Sequence, residues 1–242
     1  GKELLLSQVK NFGHHAGKKK QMSTSFLIEH MTPHAAVLEA YVPYSFPLYF
    51  GILFAAFCVR KISGVQGSLV SQPVQFVHNV FLALQSAFLM YVMVLFYSDT
   101  EKVLLSKGGS TGFFAVMTTP VRTESEIFPV ALVAFLASKL YETLDTVILI
   151  LNGKPLLLLH VWHHATTYLA FYQGLFTAAG FWIGMLNSFI HVVMYLYYAK
   201  IPGMKQIAKY ITSMQIFHLF GGLVWNLVTF YQALSPTPGE IA

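Results

Sequence analysis

The segment PLLLLHVWHHATTYLAFYQGLFTAAGFWIGMLNSFIHVVMYLYYA, Pro155 to Ala199, runs for 45 residues without an Asp, Glu, Lys or Arg. A hydrocarbon core about 30 Å thick takes roughly 20 helical residues, so the stretch has the length of two spans joined by a tight turn. Outward from it, Ala40–Val59, Ile62–Ser98 and Tyr210–Gly239 are free of the same four residue types. Charged residues make up 10% of the chain, against about 25% in a soluble domain. That is too little charge to coat a water-facing surface, and lipid is the expected solvent.

Six spans follow: Tyr44–Val59, closed by Arg60-Lys61; Gln75–Tyr97; Ile127–Leu151; Leu156–Phe176; Phe181–Tyr198; and Ile207–Tyr231. The fold class is all-α, a polytopic transmembrane helical bundle. Residues 1–40 read as an N-terminal polar arm, amphipathic or loose, and residues 41–242 as a single transmembrane domain. Ser98–Glu126, the longest polar stretch, is expected outside the hydrocarbon. Weighting the charges close to span ends places Arg60, Lys61, Lys154, Lys200, Lys205 and Lys209 on the cytosolic side. No signal peptide is recognisable, and the start at Gly1 fits a trimmed chain.

The formal net charge of +5 invites nucleic acid as a partner, but the basic residues are scattered and only Lys18-Lys19-Lys20 forms a run. No nucleic-acid partner is expected, and that run reads as a solvated tail, with anionic head groups or a CoA as the other partners it could meet. Cys58 is the only cysteine, which excludes an intrachain disulfide.

The most costly feature is Lys139-x-x-Glu142-x-x-Asp145-Thr146 inside the third span. At about 2.5 to 3.5 kcal/mol per charge at mid-membrane, three charges cost roughly 8 to 10 kcal/mol. They must be paired, close to a membrane surface, or facing a wet cavity, and their spacing lets them share a helix face. They read either as a latch between helices or as groups that hold substrate. His160-x-x-His163-His164 in the fourth span sets three imidazoles at i, i+3, i+4. Imidazole is ligand, nucleophile and general base near neutral pH, so the cluster suits a metal or acyl transfer. In the fifth span, Asn187, His191, Met194, Tyr195 and Tyr198 fall on one side at spacings of four and three. Tyr197 and Tyr198 also fit an interfacial aromatic belt. Thr212, Gln215 and His218 repeat the pattern in the sixth span. His78, Trp225 and Asn226 read as ordinary helix contacts.

Two other readings compete. A membrane di-iron oxygenase, desaturase or hydroxylase, would use His30-x-x-x-His34 with the 160–164 box, but lacks a third histidine box and leaves the Lys139 motif without a purpose. A polytopic transporter would line its path with these same charges.

The motifs K-x-x-E-x-x-D-T, H-x-x-H-H and N-x-x-x-H-x-x-M-Y-x-Y-Y, in this order and spacing, resemble those of the ELO family of very-long-chain fatty acid elongases. The resemblance runs from about Lys139 to Gln215. It implies seven spans, six of them in a barrel around an acyl tunnel, in the endoplasmic reticulum membrane. Only Gln232–Ala242 follow the sixth span, so a seventh is expected outside this sequence. The implied reaction joins a long-chain acyl-CoA and malonyl-CoA into 3-oxoacyl-CoA, CO2 and CoA, with no cofactor and no metal. A homodimer and the other enzymes of the elongation cycle are the implied partners. Carried over by position, the catalytic set is His160, His163, His164, Asn187 and His191. Lys139, Glu142, Asp145, Thr146, Tyr195, Tyr198 and Gln215 are the substrate-binding set. His163 is the expected nucleophile through an acyl-histidine, with His191 opposite it, and Asn187 and His160 as donors to the enolate oxygen. The family's T-x-x-Q-x-x-Q motif is Thr212, Gln215 and His218 here, which puts the contact of its last amide in question.

Overall fold

The computed structural model describes residues 24–112, 115–116, 124–175 and 180–234. The Lys18–Lys20 run and the side chains of Trp225 and Asn226 lie outside the described residues. Among those described, the regular structure is entirely helical. Six long helices carry it: α1 (Ser45–Ser63), α2 (Gln72–Ser106), α3 (Phe128–Leu151), α4 (Leu158–Leu175), α5 (Gly180–Tyr198) and α6 (Ala208–Leu234). The segments Val42–Ser63 and Gln72–Ser106 are long and apolar enough to cross a bilayer, and Ile183–Tyr198 is a shorter apolar helix.

Two helix bounds depart from the sequence reading. α1 continues through Arg60 and Lys61 and stops at Gly64, whose φ of 62° ends it in a left-handed cap; basic side chains in a last turn favour the negative end of the helix dipole. α2 has 35 residues, about 52 Å at 1.5 Å per residue, far more than a hydrocarbon core needs. It runs on through Asp99 and Lys102, whose charges find partners: Ser125 Oγ donates to Asp99 Oδ2 at 2.7 Å, and Lys102 lies 3.9 Å from Asp99.

α2, α3, α4 and α5 form a closed ring in that order, each packed on its two neighbours. α1 leans on α3 and α4, and α6 on α5. One half of the ring is apolar: Leu89, Met93 and Phe96 of α2 meet Leu132, Phe135 and Leu136 of α3 and Phe171 of α4. Phe135 and Phe171 stack with centroids 5.2 Å apart. A Cβ on Gly184 would sit 3.1 Å from the Phe135 ring and 3.3 Å from Met93, so a bare backbone lets α5 close on this half. α1 buries Tyr49, Leu53 and Ala56 against the ring while Phe54, Phe57 and Val59 face outward, as expected of a helix with lipid on one side. From residue 24 onward the arm is docked. Leu27, Ile28, Met31, Ala35 and Leu38 pack on the apolar half, and Tyr168 donates its hydroxyl to the Leu38 carbonyl at 2.6 Å.

At the opposite end the α1–α2 loop is tied to the end of α3. Arg60 donates to the carbonyls of Leu151 (2.9 Å), Gln66 (3.3 Å) and Gly67. Asn152 Oδ1 accepts from the Val70 amide at 2.9 Å. Charge-assisted bonds to orphan helix-end carbonyls contribute roughly 1.5 to 3 kcal/mol each at most. Arg60→Ala should therefore lower stability by about 2 kcal/mol and make residues 64–71 the first site of limited proteolysis; an unchanged melting point and cleavage pattern in detergent would refute the anchor.

Candidate active site

The polar half of the ring is built on α3. Lys139 and Glu142, three residues apart, are both buried, and the Lys139 ammonium donates to Glu142 Oε1 at 2.7 Å and Oε2 at 2.9 Å. Its next acceptor comes from across the ring, Asn187 Oδ1 on α5 at 2.9 Å. The face of Phe171 covers it 4.6 Å away, a cation–π contact. An ammonium has three N–H bonds, and all three have protein acceptors. The expectation that Lys139 would hold a substrate carboxylate thus meets a cation already saturated by its own chain.

That saturation orients Asn187. Its oxygen faces Lys139, so its Nδ2 is the donor to His191 Nε2, 3.3 Å away. His191 Nε2 is then an acceptor, and in the neutral ring the proton sits on Nδ1, facing Glu142 Oε1 at 3.4 Å. The tautomer follows from the network. Asn187 Nδ2 has a second N–H with no protein acceptor among the described residues.

Asp145 and Thr146 take different partners from Lys139. Asp145 Oδ1 lies 2.7 Å from His78 Nε2 on α2, and Oδ2 accepts from the Tyr195 hydroxyl at 2.6 Å. Thr146 Oγ1 lies 3.0 Å from His160 Nε2 and 3.2 Å from the Tyr49 hydroxyl. The four residues of the motif therefore do not act as one charged patch.

The histidine box sits on the first two turns of α4. His160 and His164 rings lie 4.5 Å apart, and His163 and His164 5.4 Å. Thr166 and Thr167 hydroxyls both return to the His163 carbonyl. His160 is held by Thr146, whereas the imidazole nitrogens of His163 and His164 have no hydrogen-bond partner among the described residues. His163 lies within electrostatic reach of His191, Lys139 and Glu142. His164 likewise interacts electrostatically with Lys139 and Glu142.

Other sequence candidates fall elsewhere. Tyr198 is 52% exposed, one turn beyond buried Tyr195 on the same helix. Gln215 Nε2 lies 3.4 Å from Met194 Sδ, and His218 donates to the Ile183 carbonyl at 3.2 Å, so both fasten α6 to α5. Thr212, His30 and His34 are exposed. Among the described residues no group of three or more His, Cys, Asp or Glu converges as metal ligands do. His78, which reads as an ordinary helix contact in the sequence, is instead the partner of Asp145, and no motif marks Tyr49: a lone histidine or tyrosine in an apolar helix carries no sign of its partner on another helix.

An all-helical membrane protein with a buried Lys-Glu-Asn-His cluster beside a histidine box is the class that fold and site define. The GNS1/SUR4 (ELO) family model matches residues 38–239, and the chain belongs to that family. It is 35% identical over 102 residues to very long chain fatty acid elongase 3 of Homo sapiens, covering 40% of this chain and 38% of that protein. It is 38% identical over 104 residues to fatty acid elongase 3 of Trypanosoma cruzi (40% and 35%), and 32% identical over 146 residues to fatty acid elongase A of Dictyostelium discoideum (57% and 49%). The chain thus spans between a third and a half of these relatives' length. No solved structure matches it.

Breaking the Lys139–Glu142 pair strands a buried charge. Lys139→Met should cost about 3 to 5 kcal/mol, and adding Glu142→Gln should return much of it by removing the unpaired carboxylate. The measurement is the thermal midpoint in detergent; a double variant no more stable than the single one would refute the pairing energetics.

Proposed function

We propose that this chain carries the condensing activity of fatty acid elongation, a 3-oxoacyl-CoA synthase in which a long-chain acyl-CoA and malonyl-CoA give 3-oxoacyl-CoA, CO2 and CoA. Family membership supports the reading, and one observation carries it: His163 and His164 on α4, whose ring nitrogens have no hydrogen-bond partner among the described residues, interact electrostatically with the same Lys139–Glu142 pair that the Asn187–His191 pair bonds. In this reading six helices span the endoplasmic reticulum membrane around an acyl bore, in which each buried methylene of the substrate contributes about 0.8 kcal/mol.

The chemistry follows from the residues. His163, whose ring nitrogens have no hydrogen-bond partner among the described residues, attacks the acyl thioester carbonyl. The carbon–sulfur bond breaks, the imidazole proton passes to the departing thiolate, and a neutral acyl-imidazole remains. Malonyl-CoA then loses CO2, leaving an enolate whose oxygen needs a donor; the second N–H of Asn187 supplies it. The enolate carbon attacks the acyl-imidazole, His163 leaves, and a proton from solvent restores its ring. One proton is consumed overall. Lys139 and Glu142 act here by aiming Asn187 and fixing the His191 tautomer. His160 is held through Nε2 by Thr146, with Nδ1 turned to substrate. No cofactor is required, and a homodimer and the other enzymes of the elongation cycle are the proposed partners.

The test is purified protein with long-chain acyl-CoA and labelled malonyl-CoA, with and without a strong chelator. A labelled 3-oxoacyl product that survives chelation is expected; none at any chain length, alongside iron-dependent oxygen uptake, overturns the reading. His163→Ala should abolish turnover, and acyl-CoA alone should add one acyl mass to His163 of the wild-type protein. An adduct mapped to His164 instead would remove the nucleophile assignment.

A further inference from the structure

His78 stands on α2, outside every motif of α3, α4 and α5, and is the residue that draws α2 into the polar half of the ring. It is buried, and its ring stacks on Tyr141 with centroids 5.5 Å apart and planes at 27°. Because the carboxylate of Asp145 can only accept, the proton between them belongs to His78 Nε2, 2.7 Å from Oδ1. The other oxygen of Asp145 accepts from Tyr195 at 2.6 Å. Tyr195 is 1% exposed, and its ring meets that of His191 edge to face, centroids 5.4 Å apart at 83°. A continuous line therefore crosses from α2 through α3 to α5 and ends on the imidazole that Asn187 and Glu142 hold by its nitrogens.

Among the described residues Asp145 has one hydrogen-bond partner per oxygen, so loss of the His78 donor frees the carboxylate to turn about its own axis. Leu82 and Ala83 pack against the Tyr195 ring, and the 2.6 Å bond to Asp145 pins its hydroxyl, so a turned carboxylate lets the ring tilt within that packing. Nothing in the geometry asks His78 to touch substrate: the far side of its ring borders a cavity of about 480 Å³ on the outer face between α2 and α3, lined by Val77, Tyr141 and Leu144.

We propose that His78 is a positioning residue, which fixes Asp145 and through it the Tyr195 ring that sets the angle of the His191 imidazole. Its consequence for turnover rests on the elongase reading above, and its consequence at His191 rests on the geometry alone.

Two substitutions separate the donor from the ring. His78→Gln carries an amide nitrogen close to where Nε2 lies and keeps a donor for Asp145. His78→Phe keeps the ring and its stacking on Tyr141 without a donor, and the neighbouring cavity gives it room. The first readout is residue-resolved labelling of the purified full chain by diethyl pyrocarbonate. His191 should react several-fold faster in the Phe variant and at the wild-type rate in the Gln variant, while His160, held by Thr146, should be unchanged in both. In the elongation assay the Phe variant should lose about tenfold in kcat with little change in KM for malonyl-CoA, as misorientation without lost binding predicts, and the Gln variant should recover most of it. Wild-type labelling of His191 in the Phe variant, or a Gln variant as impaired as Phe, overturns the proposal. So does equal acceleration at His160 and His191, which is general loosening. A wild-type chain without elongation activity defeats the functional reading, and the labelling pattern then still decides the role of His78.

Discussion

A single ammonium dictates the centre of this molecule. Lys139 is buried in a helix whose first half packs as apolar core, where an uncompensated charge costs several kcal/mol. Keeping it requires three acceptors at hydrogen-bond distance, and the helix can supply only two of them from Glu142. The third must come from elsewhere, and Asn187 provides it from the far side of the ring. α3 and α5 are not close neighbours in the backbone packing, yet this bond, with Tyr195 to Asp145 and His191 to Glu142, joins them. The ring is held across its diameter by polar side chains where its other half is held by Phe135, Phe171 and Met93.

The order of events along α3 explains why its motif divides. At 100° per residue, Asp145 points about 120° away from Lys139, while Thr146 returns to within about 20° of it but two turns further on. Spacing alone makes all four look like one face. The rotation instead delivers Asp145 toward α2 and the end of α5, and Thr146 toward α1 and α4. One helix thereby serves three sets of partners: an ion pair that orients Asn187 and His191, a carboxylate shared by His78 and Tyr195, and a hydroxyl shared by Tyr49 and His160.

What the sequence made legible is whatever lies within one helix. The spans Ile127–Leu151, Leu156–Phe176 and Phe181–Tyr198 agree with α3, α4 and α5 to within three residues at each end, because hydropathy and helical period are properties of a single segment. The Lys139–Glu142 and Asn187–His191 pairs were legible for the same reason. Contacts between helices were not. His78 reads as packing because its partner is 67 residues away, and nothing in the first span marks Tyr49, whose partner Thr146 is 97 residues away. Thr212 matched Gln215 and His218 by spacing but faces outward, since α6 packs mainly on α5 and buries little of its own circumference. α2 outran its apolar stretch because Ser125 and Lys102 satisfy Asp99, which composition could not foresee.

The choice of asparagine at 187 condenses the argument. Its carbonyl must accept from a cation and its amide must donate to an imidazole, so only a side chain with both functions at one carbon fits. Aspartate would satisfy Lys139 but present an acceptor to His191 Nε2, which forces the imidazole proton onto that nitrogen and leaves Nδ1 bare against the Glu142 carboxylate. Serine would lose one of the two bonds, and glutamine would carry both a methylene too far. The amide thus translates a fixed charge on α3 into a fixed proton position on α5, and the N–H left over among the described residues is the one the proposed condensation assigns to the enolate oxygen. In that proposal the cost of burying Lys139 and the placement of a donor for an enolate are two consequences of the same three hydrogen bonds.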